Sequence, residues 1–316
     1  MTESMATRRT APAVLMAVLA LLGALTAAPS AHVAPAAPFL WEGQAGTHRL
    51  ALFGTIHVPD ARVLDLPPAV RAAFARADRV VTEIPMDGSA QAAMASALML
   101  PEPQRLRTVI GEARFTRLEA RVQAALAPRA PMAVPLLVGM LDRLKPWAAM
   151  AQLASLEYLP DLLDGKVPLD ARIYADAASA GKRVGGLETV AEQAAVFDVF
   201  TADEQTQMLE SALRDLESPG NGPTSASLVQ SYLEGDDATL TAALSHAPGD
   251  AALARKFQAE VLVARNHRMA ERIDALRRDA PAEALFVAVG ALHLVGPDNL
   301  PQLLTARGYA LTRVKP

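Results

Sequence analysis

The chain of 316 residues is 51% hydrophobic and 20% charged, and its glycines and prolines follow no repeat, which excludes a disordered or collagen-like protein. Its net charge of -4 is spread without any basic block, so the sequence gives no indication of nucleic-acid binding. Cysteine is absent, which rules out disulfides, thiolate metal ligands and a lipoprotein anchor.

Residues 1–31 have the pattern of a secretory signal peptide. Arg8 and Arg9 supply a positive start, residues 14–25 are an unbroken apolar stretch, and small residues follow. The apolar stretch is short for a bilayer span, which needs about 20 residues. We therefore expect cleavage after residue 31 or close to it, no stable membrane span afterwards, and a periplasmic or secreted protein.

A strand–helix–strand unit opens the remaining chain. The apolar run over 50–56 reads as a buried strand that ends at His57. A helix over 69–77, with prolines in its first turn, leads to a second strand over 79–84 that contains Glu83. Such a crossover makes the two strands parallel. We expect His57 and Glu83 to lie at the same edge of the sheet, on neighbouring strands.

The middle of the chain, from 88 to 180, is predicted to be mostly helical. Ten apolar residues over 132–141 are too few to cross a bilayer and predict a buried helix or a lid. A further strand over 182–188 ends in Glu188. Thr189 has a glutamate three residues later, which predicts a capping box at the start of the next helix.

The last part of the chain predicts a flexible loop over 218–227 and a long helix over 250–279. The apolar spacing of that helix places Asn266 on its buried face, beside Arg265. A buried amide without partners costs about 1–3 kcal/mol, so a polar group must meet Asn266. A strand over 285–293, a short helix and a final strand complete the chain.

The pattern of an apolar strand followed by Gly-x-x-His occurs twice, at Gly54 to His57 and at Gly290 to His293. A glycine lets a ligand or another backbone approach closely beside each histidine. Histidine is a frequent general base and the commonest metal ligand, so each of these residues could be functional. The simpler interpretation is that each histidine only makes a hydrogen bond at a strand end. The repetition favours one site that both histidines enter.

Glu83 would complete a set of two histidines and one carboxylate, which suits zinc, manganese, cobalt or non-haem iron. Glu188 is a second acid at a strand end. It could act as general base toward a metal-bound water, or it could simply face a helix N-terminus. His48, His246 and His267 have no context that indicates a ligand.

Taken in order, these motifs resemble the TraB/GumN family, which includes pheromone-shutdown proteins and the Tiki Wnt-inactivating proteases. The resemblance is carried by Leu52-Phe53-Gly54-Thr55-Ile56-His57, Glu83, Lys145-Pro146-Trp147, Gly186-Leu187-Glu188-Thr189, Glu192-Gln193, Arg265-Asn266, Met269-Ala270, Val289-Gly290-Ala291-Leu292-His293-Leu294-Val295-Gly296 and Gly308-Tyr309.

The resemblance implies a single α/β domain over 38–316, similar to erythromycin esterase and the haem-binding ChaN proteins. Such a domain has a sheet of largely parallel strands, many surrounding helices and two related halves around one cleft. For the Tiki branch the resemblance implies a metalloprotease that uses manganese or cobalt, and the corresponding positions here are His57, Glu83 and His293.

The function predicted from the sequence is therefore an exported metal-dependent hydrolase, acting on a peptide or a small molecule with a divalent ion such as Mn, Co or Zn. Glu188 would be the base or an acid behind the metal ligands, and Arg265 and Asn266 would orient the site. Two alternatives stay open at this point. One is a non-catalytic periplasmic binder of haem or a peptide, and the other is a metal-free esterase-like hydrolase with His57 as base.

Overall fold

The computed structural model describes residues 38–315, except 129, 218–223 and 245–248 and the side chains of 163 and 244. The predicted signal peptide, most of the predicted flexible loop and His246 lie outside the described residues. The end of that loop is helical instead, because Thr224 caps a helix that begins at Ser225.

Six strands of the described residues form one sheet. They are β1 (Leu40–Ala45), β2 (His48–Thr55), β3 (Arg79–Thr82), β4 (Arg183–Gly186), β5 (Ala284–Gly290) and β6 (Ala310–Arg313). Their order across the sheet is β4-β3-β5-β2-β1-β6.

The four strands β4, β3, β5 and β2 are neighbours and parallel, whereas β1 runs antiparallel to both β2 and β6. This confirms the predicted α/β class. The expectation that the strands before His57 and Glu83 are neighbours is wrong, because β5 pairs with both β2 and β3 and separates them. The separating strand is the one that leads to His293.

Helices surround the sheet and extend beyond it. They are α1 (Ala61–Leu64), α2 (Pro68–Arg76), α3 (Gly88–Ala97), α4 (Leu106–Ile110), α5 (Glu112–Leu126), α6 (Val134–Leu141), α7 (Pro146–Ser155), α8 (Leu159–Leu163), α9 (Leu169–Ser179), α10 (Val190–Asp198), α11 (Ala202–Glu217), α12 (Ser225–Glu234), α13 (Asp237–Leu244), α14 (Ala251–Phe257), α15 (Ala264–Asp279) and α16 (Leu300–Thr305). None of the helices in the described part of the chain combines the length and the apolar character needed to cross a bilayer.

The apolar stretch over 132–141 is a helix, as predicted, but most of it is not buried. Val134 and Leu141 point into the protein, whereas Met132 is 90% exposed and Leu136 is 44% exposed. The apolar groove beside this helix is lined mainly by leucines, and neither histidine nor tyrosine is among the described residues that line it. These residues provide no axial ligand of the kind that haem binding requires.

The long C-terminal helix is interrupted by a π-helical segment. Gln258–Val263 adopts this wider turn between α14 and α15, two residues before Arg265. A π turn shifts the phase of the following helix relative to a regular α-helix, and such segments occur often at functional sites. Both Arg265 and Asn266 are buried beyond this shift.

The main hydrophobic core lies on the sheet. It includes fully buried aromatic side chains such as Phe53 and Phe286, together with the apolar faces of α2, α9 and α15. A second apolar cluster holds α5, α7 and α11 together. Burial of each large apolar side chain contributes about 1.5–3 kcal/mol, so the strands that end at the site are anchored firmly.

Candidate functional site

Three adjacent parallel strands deliver the predicted residues to one edge of the sheet. His57 comes two residues after β2 ends at Thr55, and Glu83 directly follows β3. Between these strands, β5 ends at Gly290 and a short 3-10 helix over 291–294 presents His293. Since the carboxyl ends of parallel strands share an edge, the loops after all three meet there.

The carboxylate of Glu83 lies at the centre of this group. Its Oε1 atom is 3.9 Å from Nε2 of His57 and 3.7 Å from Nε2 of His293. The same oxygen accepts a hydrogen bond of 2.8 Å from the backbone N–H of Gly290. The structure therefore brings both histidines of the repeated motif to one carboxylate oxygen.

In each imidazole, the Nδ1 atom faces an oxygen atom of a neighbouring side chain. Nδ1 of His293 is 2.6 Å from Oδ1 of Asn266, which explains how the buried amide is satisfied, together with its bond to the carbonyl of Asp298. Nδ1 of His57 is 3.2 Å from Oδ2 of Asp170. An acceptor at Nδ1 favours the tautomer that leaves the Nε2 lone pair free.

Arg265 links the two glutamates of the site. Its guanidinium donates to Oε2 of Glu83 at 2.6 Å and to Oε2 of Glu188 at 2.7 and 2.9 Å. Glu188 is fully buried and also accepts a bond of 3.1 Å from Arg268. Both of its oxygens are thus paired with arginines, and its contact with the histidines passes through Arg265.

The charges around Glu83 outweigh its burial. Burial alone raises the pKa of a carboxyl group, but Arg265 and the two histidines hold the pKa of Glu83 well below its ordinary range. Burial is the dominant influence on His293 and lowers its pKa to about 4. At neutral pH, Glu83 is therefore an anion and His293 is a neutral imidazole, which are the forms that bind metal ions.

His57 behaves differently from His293. Partial desolvation of the ring by the surrounding protein lowers the pKa of His57. The negative charges of Asp170 and Glu83 have the larger combined effect and raise the pKa to about 9. Its side chain is 58% exposed, whereas that of His293 is 4% exposed. Access to the site is therefore from the His57 side.

The two motif glycines have different surroundings. A Cβ on Gly54 would lie 2.8 Å from Cβ of Phe39 and 3.0 Å from Cα of Ala291, so Gly54 permits close packing of backbone. A Cβ on Gly290 would lie 3.2 Å from Oε1 of Glu83 and 3.7 Å from Nε2 of His57. The missing side chain of Gly290 therefore keeps open the space between the potential ligands.

Among the described residues, no three histidine, aspartate or glutamate side chains stand close enough to hold a metal ion as placed. Ligand atoms about 2.1 Å from one ion are about 3–3.5 Å apart, which is slightly less than the 3.7 and 3.9 Å separations at Glu83. The donor set nevertheless fits a divalent ion chemically, since it consists of two Nε2 atoms and one carboxylate oxygen. The space beside Gly290 leaves room for the ion.

Two residues at the site have no role in the sequence-based prediction. Asp170 lies in the first turn of α9, and Gln193 in α10 donates a bond of 3.1 Å to Oε2 of Glu83. Neither follows a strand. Gln193 is one of the residues that carry the family resemblance, and no other feature of the sequence pointed to it. No local sequence pattern marks Asp170.

The fold and the site together define an α/β protein that gathers two histidines and a carboxylate at the carboxyl edge of parallel strands. The sequence model of the TraB/PrgY/gumN family matches residues 39–313, and the chain belongs to this family. This confirms the resemblance. No solved structure matches the chain significantly.

Several curated relatives carry the name metalloprotease. Metalloprotease TIKI1 of Danio rerio is 26% identical over 296 residues, which cover 82% of this chain and 59% of the relative. Metalloprotease TIKI homolog of Nematostella vectensis is 25% identical, over 84% of this chain and 64% of the relative. Metalloprotease TIKI1 of Homo sapiens is 26% identical, over 81% of this chain and 58% of the relative. The chain thus spans less than two thirds of each of these relatives.

Proposed function

We propose that this protein is an exported metal-dependent hydrolase that cleaves peptides. The observation that carries the proposal is the approach of two Nε2 atoms, from His57 and His293, to Oε1 of Glu83. The name metalloprotease, shared by the relatives above, supports the same reaction class. The similarity to erythromycin esterase and ChaN, and the two related halves, stay predictions.

His57, Glu83 and His293 would hold a divalent ion such as manganese, cobalt or zinc. When bound, the ion supplies Lewis-acid activation of water and of a peptide carbonyl. Asn266 accepts a hydrogen bond from Nδ1–H of His293 and so leaves Nε2, which lies 3.7 Å from Oε1 of Glu83, without a proton. Gly290 fixes the carboxylate through its backbone N–H.

Arg265 supplies a fixed positive charge at the site. Its Nη1 atom is 3.4 Å from Nε2 of His293, and the side chain is 6% exposed. A positioned cation in a water-poor site stabilises negative charge that develops on a carbonyl oxygen during attack. Glu188 holds this guanidinium in place, whereas its action as general base stays a prediction.

The metal-free alternative is less well supported. A general base must be unprotonated at the working pH. Partial desolvation lowers the pKa of His57, but the carboxylates around the ring raise it to about 9. At neutral pH the ring is therefore mostly protonated until an ion displaces the proton. The apolar groove beside α6 gives no support to haem binding, because its described lining contains neither histidine nor tyrosine.

The proposal is tested by manganese binding, measured from the electron paramagnetic resonance signal of free Mn²⁺ during titration. We expect one site per chain in the wild type and loss of binding in His57→Ala and in His293→Ala. His267→Ala is the matched control, because His267 is exposed on α15 and should bind as the wild type does. Equal binding by all four proteins would refute the site.

Activity is tested separately with a library of fluorescence-quenched peptides. We expect cleavage that stops after treatment with EDTA and returns when manganese or cobalt is added. Cleavage that persists in EDTA would support the metal-free hydrolase, and metal binding without any cleavage would support a binding protein.

A further inference from the structure

Asp170 reaches the site from a part of the fold that contributes none of the residues predicted to bind the metal. It lies in the first turn of α9, a helix that packs on β3 and β4, and the residue is 9% exposed. Its Oδ2 atom is 3.2 Å from Nδ1 of His57. The placement of this carboxylate needs an explanation, because burying a charged group is costly unless it is paired.

A simple role at the helix terminus does not account for Asp170. Acidic residues in a first turn favour the positive end of the helix dipole, and capping side chains accept bonds from backbone N–H groups. The cap position of α9 is Pro168, and no side chain caps this helix. Among the described residues, Oδ1 of Asp170 is buried without a hydrogen-bond partner. The polar contact of this side chain is therefore His57.

Two further carboxylates at the site provide a comparison. Glu83 and Glu188 are both paired with Arg265, so their charges are balanced by a cation. Asp170 has no arginine or lysine within ion-pair distance among the described residues, and its ion pair is with the imidazole. The charge of Asp170 is thus directed at a single ring nitrogen.

The two histidines differ in the group that contacts Nδ1. In His293 this group is the neutral amide of Asn266, and in His57 it is the carboxylate of Asp170. Oxygen acceptors behind metal-binding histidines fix the ring orientation and the tautomer, and a carboxylate also makes the opposite nitrogen a stronger donor. The exposed histidine, which lacks the close packing around His293, is the one that has the charged partner.

We propose that Asp170 is the positioning residue of His57: it holds the Nδ1 proton and, when the ring is neutral, leaves the Nε2 lone pair free on the side of Glu83. The orientation and tautomer follow from the contacts in this chain. The consequence for metal affinity rests on the proposed function. The experiment therefore has one arm without metal and one with metal.

The first arm is ¹⁵N nuclear magnetic resonance of the metal-free protein at pH 10, where the ring of His57 is neutral. His57→Ala identifies the His57 signals. We expect the Nδ1–H tautomer in the wild type and a mixture with Nε2–H in Asp170→Asn, since the amide can present either its oxygen or its NH₂ group. An unchanged tautomer in a folded Asp170→Asn protein would overturn the proposal.

The matched control is Asp176→Asn, the same substitution on the same helix, where the exposed carboxylate pairs with Arg172. It should leave the His57 signals as they are in the wild type. If both variants shift the tautomer equally, the effect comes from α9 as a whole and Asp170 has no specific role. Thermal melts of both variants establish that they are folded.

The second arm measures Mn²⁺ affinity. Loss of such an outer partner of a metal ligand weakens binding by about 10–100-fold, so we expect that change in Asp170→Asn and none in Asp176→Asn. Wild-type affinity in Asp170→Asn would contradict the metal part of the proposal. If the wild type binds no manganese, the proposed function fails, and the tautomer measurement still decides the role of Asp170.

Discussion

Oε1 of Glu83 accepts a hydrogen bond of 2.8 Å from the backbone N–H of Gly290, and this bond joins the end of β3 to the end of β5. Three residues after Gly290, the chain presents His293 to the same oxygen. One carboxylate atom thus fixes the backbone of the second Gly-x-x-His motif and also faces its histidine. Substitutions at this junction should separate the geometry of the site from the stability of the fold.

Gly290→Ala should impair metal binding more than folding. The new methyl group would lie 3.2 Å from Oε1 of Glu83 and 3.7 Å from Nε2 of His57, between the proposed ligands. We expect at least a tenfold loss of Mn²⁺ affinity in a titration, with a cooperative thermal transition retained. Gly185→Ala is the control, because its methyl group would meet only Cγ1 of Val81 at 4.0 Å. Unchanged affinity in Gly290→Ala would show that the space beside it is not used.

Gly54→Ala should act on stability instead. Its methyl group would lie 2.8 Å from Cβ of Phe39 and 3.0 Å from Cα of Ala291, and backbone atoms cannot yield cheaply. Overpacking of this kind typically costs about 1–3 kcal/mol. Urea unfolding followed by circular dichroism should show that loss, and a free energy of unfolding equal to that of the wild type would contradict the close packing.

Arg265→Met should be strongly destabilising. The substitution leaves the carboxylates of Glu83 and Glu188 buried beside each other without their shared cation. Removal of one partner from a buried ion pair costs about 3–5 kcal/mol. Arg268→Met, which removes a 38% exposed side chain from the same Glu188, should cost less. Equal losses in urea unfolding would show that the network does not depend on Arg265.

The metal-free protein should lose stability as the pH falls through the range between about 6.5 and 4. Burial lowers the pKa of His293 from 6.5 to about 4, so over this range the unfolded chain binds a proton that the folded protein does not. The loss is of the order of 3 kcal/mol from this residue. Urea unfolding at several pH values should show a shallower slope in His293→Gln than in His267→Gln. Parallel slopes would contradict a neutral His293.

Manganese affinity should rise with pH up to about 9. Partial desolvation of the ring opposes protonation of His57, but Asp170 and Glu83 raise its pKa to about 9, so an ion must displace a proton below that pH. One displaced proton corresponds to roughly a tenfold rise in affinity per pH unit. Titrations between pH 6.5 and 8.5 measure this slope, and an affinity independent of pH would show that His57 is not a ligand.

Local patterns in the sequence predicted the parts of the site that follow strands. His57, Glu83 and His293 stand after apolar runs whose length and flanking residues mark them as strands, and parallel strands must deliver such residues to one edge. The capping box at Thr189 and the partnering of Asn266 are also local consequences of spacing, and the structure contains both.

The remaining features depend on tertiary contacts that no local pattern encodes. The position of β5 between β2 and β3 is set by packing of the whole sheet, so chain order suggested the wrong neighbours. The π turn over 258–263 comes two residues before Arg265, which is buried between two glutamates, and no local sequence pattern marks the turn. Asp170 comes to His57 from more than a hundred positions away, through the docking of α9 on the sheet.

The central place of β5 has a consequence for biosynthesis. Without residues 284–290, β3 and β4 share no pairing with β2 and β1, and the two pairs are separate pieces of sheet. A ribosome must therefore translate more than 280 codons before those pieces can join. Until that moment His57 and Glu83 follow strands that share no pairing, so the proposed metal site can form only when β5 has been inserted.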